Sequence, residues 1–126
     1  MVNYSKKYRF KDFTLNNYKR LLKIDKNNFC FKSFSNYKNS KEHKILILRH
    51  DIEFSVPIAL QMAKTEAELN IFSTYFVQLH SDFYNAFEKK TFYQLKEIQN
   101  LGHNLALHFD SHFWVIKNET ELKKYL

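Results

Sequence analysis

The chain has 126 residues, the length of one domain, and its 44% hydrophobic and 17% aromatic content excludes a disordered chain. Twenty basic against 13 acidic residues give a formal charge of +7, yet the lysines are scattered in nothing longer than short pairs, so no nucleic-acid partner is expected. A single cysteine, Cys30, rules out an internal disulfide, and no run nears the roughly 18 apolar residues of a membrane span, so the expectation is a cytoplasmic protein without one.

Residues 1–13 are basic and aromatic without a clear period. Thr14 is placed to cap a helix that carries Leu15, Tyr18, Leu21, Leu22 and Ile24. Phe29, Phe31 and Phe34 then suggest a short strand or an aromatic plug, with Cys30 as a buried, inert thiol. A polar connector fills 35–44, so residues 1–44 read as an N-terminal helical and aromatic segment.

Ile45 to Leu48 is a continuous apolar run that passes without a break into Arg49, His50, Asp51, Ile52 and Glu53. Such a run reads as a strand buried on both faces, the kind found in parallel sheets. Ser55 caps the next helix, Pro57 fits its first turn, and Ile58, Ala59, Met62, Ala63, Ala67 and Leu69 give an apolar stripe to about Asn70. Ile71 to Leu79 is a second strand, rich in aromatic and β-branched residues. A helix from about Glu88 to Leu101 follows, closed by Gly102, the chain's sole glycine. Asn104 to His108 is a third strand, and the pair Asn118/Glu121 starts a last helix.

This order predicts an α/β fold, a parallel sheet of β-α-β units. The C-terminal edge of such a sheet is where ligands sit. Asp51 and Glu53, two apart on an extended chain, point to the same side there, and His108 ends the third strand on that edge. His112 follows four residues later, on the same side if the segment turns helically. Two histidines and a carboxylate suit a catalytic divalent metal, most simply zinc. Glu53, His108 and His112 would be the ligands and Asp51 the general base. Each part alone is as well explained by solvated histidines or by an ion pair of Asp51 with Arg49. His50 should point to the opposite face and His103 lies at the opposite end, so both read as structural. His80 is equally open to a place in the pocket, the core or the surface. Tyr84 and Asn85, in the loop after the second strand, are candidates for substrate contact or for packing that loop.

The segments LRHDIEFS, ALQMAKTEAEL, STYFV and LGHNLALHFDSH together resemble the polysaccharide deacetylase (NodB-homology) family over about residues 45–116. The resemblance implies part of a distorted (β/α)7 deacetylase-type barrel and a metal-dependent N-deacetylase acting on acetylated saccharides or glycan precursors. Asp51 matches the family's base, Glu53 its metal-binding acid, and His108 and His112 the histidines of its second motif. Phe109 stands where Ser or Thr is usual, and Glu53 replaces the more frequent Asp. The family's later motifs, which carry an orienting Arg and an acidic His, fall beyond position 126, so residues 45–126 read as the N-terminal half of the domain. A half-barrel leaves sheet uncovered, which predicts self-association. The alternative is a truncated, catalytically inactive α/β binding or assembly module. Metal-dependent phosphohydrolases and iron oxygenases share parts of the pattern, but the first place their His-Asp pair on helices and the second use a β jelly roll.

Overall fold

The computed structural model describes residues 12–41, 43–111 and 113–125. Helix α1 spans Leu15–Asn28 and begins where expected, because the Thr14 hydroxyl accepts the amide of Asn17 at 3.2 Å. Strand β1, Cys30–Lys32, runs parallel to β2, Ile45–Ile47. Cys30 is a free, half-buried thiol.

The expected strand from Ile45 onward is divided. Leu48 interrupts it, and β3 resumes over Arg49–Ile52. The first half pairs with β1 and the second with β4, Thr74–Gln78. The pairing of β1 with β2 crosses the boundary expected at residue 44. So does α1, whose Lys19 meets Glu68 at 2.5 Å.

Helix α2, Val56–Ala67, is capped by Ser55 and has Pro57 in its first turn. Its buried face is Val56, Ala59, Leu60, Ala63 and Glu66, whereas Ile58, expected on that face, is about half exposed. A turn ending at Asn70, whose φ of 54° is left-handed, leads to Ile71–Ser73, which precede the strand proper; Ile71 and Ser73 are buried and Phe72 is exposed. Helix α3, Lys89–Asn100, starts with the Glu88 carboxylate accepting the Thr91 amide at 3.0 Å. Gly102 follows at φ 101°, and β5 occupies Asn104–His108 as expected. Helix α4, Glu119–Leu122, is capped by Asn118.

The main sheet is parallel in the order β3-β4-β5, so the strands stand side by side in chain order, as expected. Its register aligns His50 with Tyr75 and Leu105, and Asp51 with Phe76 and Ala106. Residues in register share a face. One face, with Ile52, Tyr75 and Val77, packs on Val56, Ala59, Leu60 and Ala63 of α2 and Leu95 and Ile98 of α3. The other face carries Arg49, Asp51, Phe76 and His108; Phe34 meets the Phe76 ring edge-on at 6.0 Å. Among the described residues no helix is long and apolar enough to cross a membrane.

Candidate functional site

The parallel pairing of β3, β4 and β5 brings their C-terminal ends to one edge. There Asp51 Oδ2 lies 3.4 Å and Glu53 Oε1 3.8 Å from Nε2 of His108. Three of the four expected site residues therefore meet, because Asp51, Glu53 and His108 fall on the same face of the sheet. The fourth, His112, lies outside the described residues.

The environment of each group differs. The Asp51 side chain is about a third exposed and is held by Arg49, whose Nε donates to Oδ1 at 2.7 Å and Nη2 to Oδ2 at 3.2 Å. Arg49 itself lies over the Phe76 ring, 3.9 Å from its centroid. Glu53 is half exposed; its backbone carbonyl accepts a hydrogen bond from the Ser81 hydroxyl at 3.3 Å. The imidazole of His108 is mostly buried, and its Nδ1 has no hydrogen-bond partner among the described residues. Its contacts to the carboxylates thus run through Nε2 alone.

A cavity of about 360 Å³ opens beside this edge, lined by Glu53, Gln78, His80, Asp82, His108 and Asp110 among others. Glu53 also borders a second cavity of about 360 Å³, to which Arg49 and Asp51 contribute. His80 therefore belongs to the cavity wall, fixed by parallel stacking on Phe113 at 3.8 Å with Trp114 edge-on. Asp82 and Asp110 add carboxylates that sequence reasoning did not single out; they sit in loops, where no periodicity points at them.

Tyr84 and Asn85 line neither cavity. The Tyr84 hydroxyl donates to the Ile52 carbonyl at 2.7 Å and accepts the Gln78 amide at 2.9 Å, clasping the ends of β3 and β4. Burial pushes its phenol pKa up, opposed in part by the Gln78 amide. The Asn85 side chain accepts the Phe87 amide at 2.9 Å and shapes the loop. Both residues shape the loop and the strand ends, which is the packing role that the sequence left open beside substrate contact.

A metal ion would meet this donor set as follows. Two ligands bound about 2.1 Å from one tetrahedral ion lie about 3.4 Å apart. The separations from His108 Nε2, 3.4 Å to Asp51 and 3.8 Å to Glu53, match that spacing or come within a few tenths of it. Among the described residues, however, no group of three His, Cys, Asp or Glu side chains is arranged to hold an ion. The set fits a metal in chemistry and in pairwise spacing, and a third ligand must come from elsewhere.

The opposite face of β3 holds a second polar cluster. Fully buried Glu66 accepts from Ser73 Oγ at 2.5 Å and from the Tyr18 hydroxyl, and its Oε1 lies 2.6 Å from His50 Nε2. Burial alone would raise the Glu66 pKa; the bond to His50, its charge, and the hydroxyls of Ser73 and Tyr18 outweigh that and hold it below the usual range. The same burial, then the Glu66 charge, pushes the Tyr18 and Tyr75 phenols up. His103 accepts the Ser73 amide on Nδ1 at 3.1 Å, so Nε2 carries the proton donated to the Ala63 carbonyl at 2.9 Å. His50 and His103 are thus structural, as their positions in sequence implied.

No protein-family model, no curated protein and no solved structure matches the chain.

Proposed function

We infer that the chain is the metal-site part of a carbohydrate N-deacetylase-type hydrolase resembling the NodB-homology family, built on part of a (β/α)7 barrel and cleaving the amide bond of N-acetylated saccharides. The observation that carries this reading is the approach of Asp51 and Glu53 to one nitrogen of His108, at 3.4 and 3.8 Å, on the C-terminal edge of a parallel sheet. Glu53, His108 and His112 would hold the ion, most simply zinc. When bound, it would supply a Lewis acid that polarises the amide carbonyl and acidifies water at the site. Asp51, held by Arg49 and placed beside the ligands, would take the proton from the attacking water through a carboxylate oxygen. The adjoining cavity of about 360 Å³ is of a size to take a sugar unit.

The test separates ligand from base. Asp51→Asn should retain zinc, read by atomic absorption, while amine release from N-acetylated oligosaccharides falls by about 10²–10⁴, the usual worth of a general base. His108→Ala should lose both zinc and turnover. Near-normal turnover in Asp51→Asn, or zinc content unchanged in His108→Ala, would sink the reading.

A further inference from the structure

Two carboxylates compete for the place beside His108, and by distance Asp51 is the nearer, at 3.4 Å against 3.8 Å for Glu53. Distance alone would make Asp51 the ligand and leave Glu53 as the base. What sets Asp51 apart is Arg49, two residues earlier on the same strand and therefore on the same face of it. Its guanidinium engages both oxygens of Asp51, at 2.7 and 3.2 Å. Oδ2, the oxygen facing His108, is one of the two. Arg49 is not a swinging surface charge: it lies 3.9 Å over the Phe76 ring, which Phe34 meets edge-on at 6.0 Å. Among the described ion pairs Glu53 meets no Lys or Arg; its partner there is the His108 imidazole.

We propose that Arg49 is a positioning residue that divides the labour between the two carboxylates: by occupying both oxygens of Asp51 it withholds that side chain from the metal, so that Glu53 and His108 ligate and Asp51 remains a base. The proposal rests on the metal reading above. It carries its own sign. A residue that merely supports the fold weakens metal binding when removed. Removing Arg49 releases a second carboxylate beside His108 and strengthens it, while turnover falls because the base has become a ligand. The Arg49–Asp51 pair is partly exposed, and such pairs contribute little to stability, so the substitution leaves the fold standing.

The experiment is a Co²⁺ titration of the whole chain against a competing chelator, with the visible d–d bands as readout, on wild type, Arg49→Gln and Arg49→Lys. Circular dichroism monitors folding. Arg49→Gln is expected to bind Co²⁺ about tenfold tighter, the lower end of what partners of metal ligands usually control. Its bands should weaken as the coordination number rises. Arg49→Lys, which keeps the charge but makes a one-point contact, should fall between and carries the comparison if the Gln variant does not fold. Unchanged or weaker Co²⁺ binding in both variants, with wild type binding the ion, overturns the role of Arg49 and leaves the metal reading intact. Absence of Co²⁺ binding by wild type overturns the metal reading and this inference with it.

Discussion

Replacing Glu66 with Ala should cost about 3–5 kcal/mol, the usual loss when one partner of a buried charged pair is removed. Glu66 is fully buried, and its two oxygens contact Tyr18, His50 and Ser73. Hydrogen bonds to a charged group contribute about 1.5–3 kcal/mol each, which summed over three would exceed the figure given. Two corrections bring it down. His50 keeps 15% of its side-chain surface and Tyr18 is half-buried, so both can turn to water, and the fully buried Ser73 hydroxyl can turn to Nδ1 of His103, 3.1 Å away. The lost carboxylate also no longer bears its own desolvation cost. A domain has only about 5–15 kcal/mol of stability in total, so the variant should be close to unfolding. Equilibrium urea denaturation, followed by circular dichroism and by Trp114 fluorescence, measures the midpoint and the slope together. A loss under about 1 kcal/mol with an unchanged slope would refute the cluster's structural weight. A double-mutant cycle with Ser73→Ala isolates the Ser73–Glu66 bond; its coupling should be about 1 kcal/mol or more.

Gly102→Ala should destabilise by about 1–3 kcal/mol, since φ of 101° disfavours a side chain and the new Cβ would meet Phe72 Cε1 at 2.8 Å. Urea midpoints at fixed pH check it, and a loss near zero would mean that the turn relaxes to negative φ. The pH dependence follows from two groups. Burial holds His103 below its ordinary value of 6.5, so below that pH the unfolded chain binds the extra proton and stability falls. Glu66, also lowered, adds stability that is present above its ordinary 4.5 and is lost as pH falls through its folded value. Urea midpoints should therefore decline from about pH 6.5 downward, the upper part of the slope disappearing in His103→Asn. A flat profile between pH 7 and 5 in wild type would contradict the burial of a neutral His103.

Much of the fold was legible because period and capping agreed. The run Asn104–His108 is short, apolar and preceded by the sole glycine, and it is the strand expected. Thr14, Ser55 and Asn118 cap the helices assigned to them. Leu48 was not legible as a break, because an apolar run says nothing about where a strand changes partners. Glu66 was missed although its spacing pointed to it: it lies three residues after Ala63 and seven after Ala59, on the buried stripe, but a lone glutamate there reads as solvated. At the site, alternation along one strand was enough to place Asp51 and Glu53 together, and parallel order was enough to bring His108 to them. Tyr84 was left open because a loop tyrosine beside a site is equally suited to contacting a ligand and to tying strand ends, and the sequence does not show that its hydroxyl is bonded on both sides.

The two faces of β3 are not independent. A slip of one residue in its pairing with β4 would turn His50 outward and bring Asp51 into the interior. Glu66 would then lose the partner that helps hold its charge, and a second carboxylate would enter the same buried space, where like charges disfavour ionisation. Apolar packing fixes this register through Ile52 alone, because Arg49, His50 and Asp51 are three polar residues in succession. The His50–Glu66 contact supplies what the pattern lacks. It makes one register far better than its neighbours, and in that register Arg49, Asp51 and Glu53 must all project to the side where His108 ends β5. The buried cluster thus acts as the register key for the carboxylates on the opposite face, although none of its members touches them.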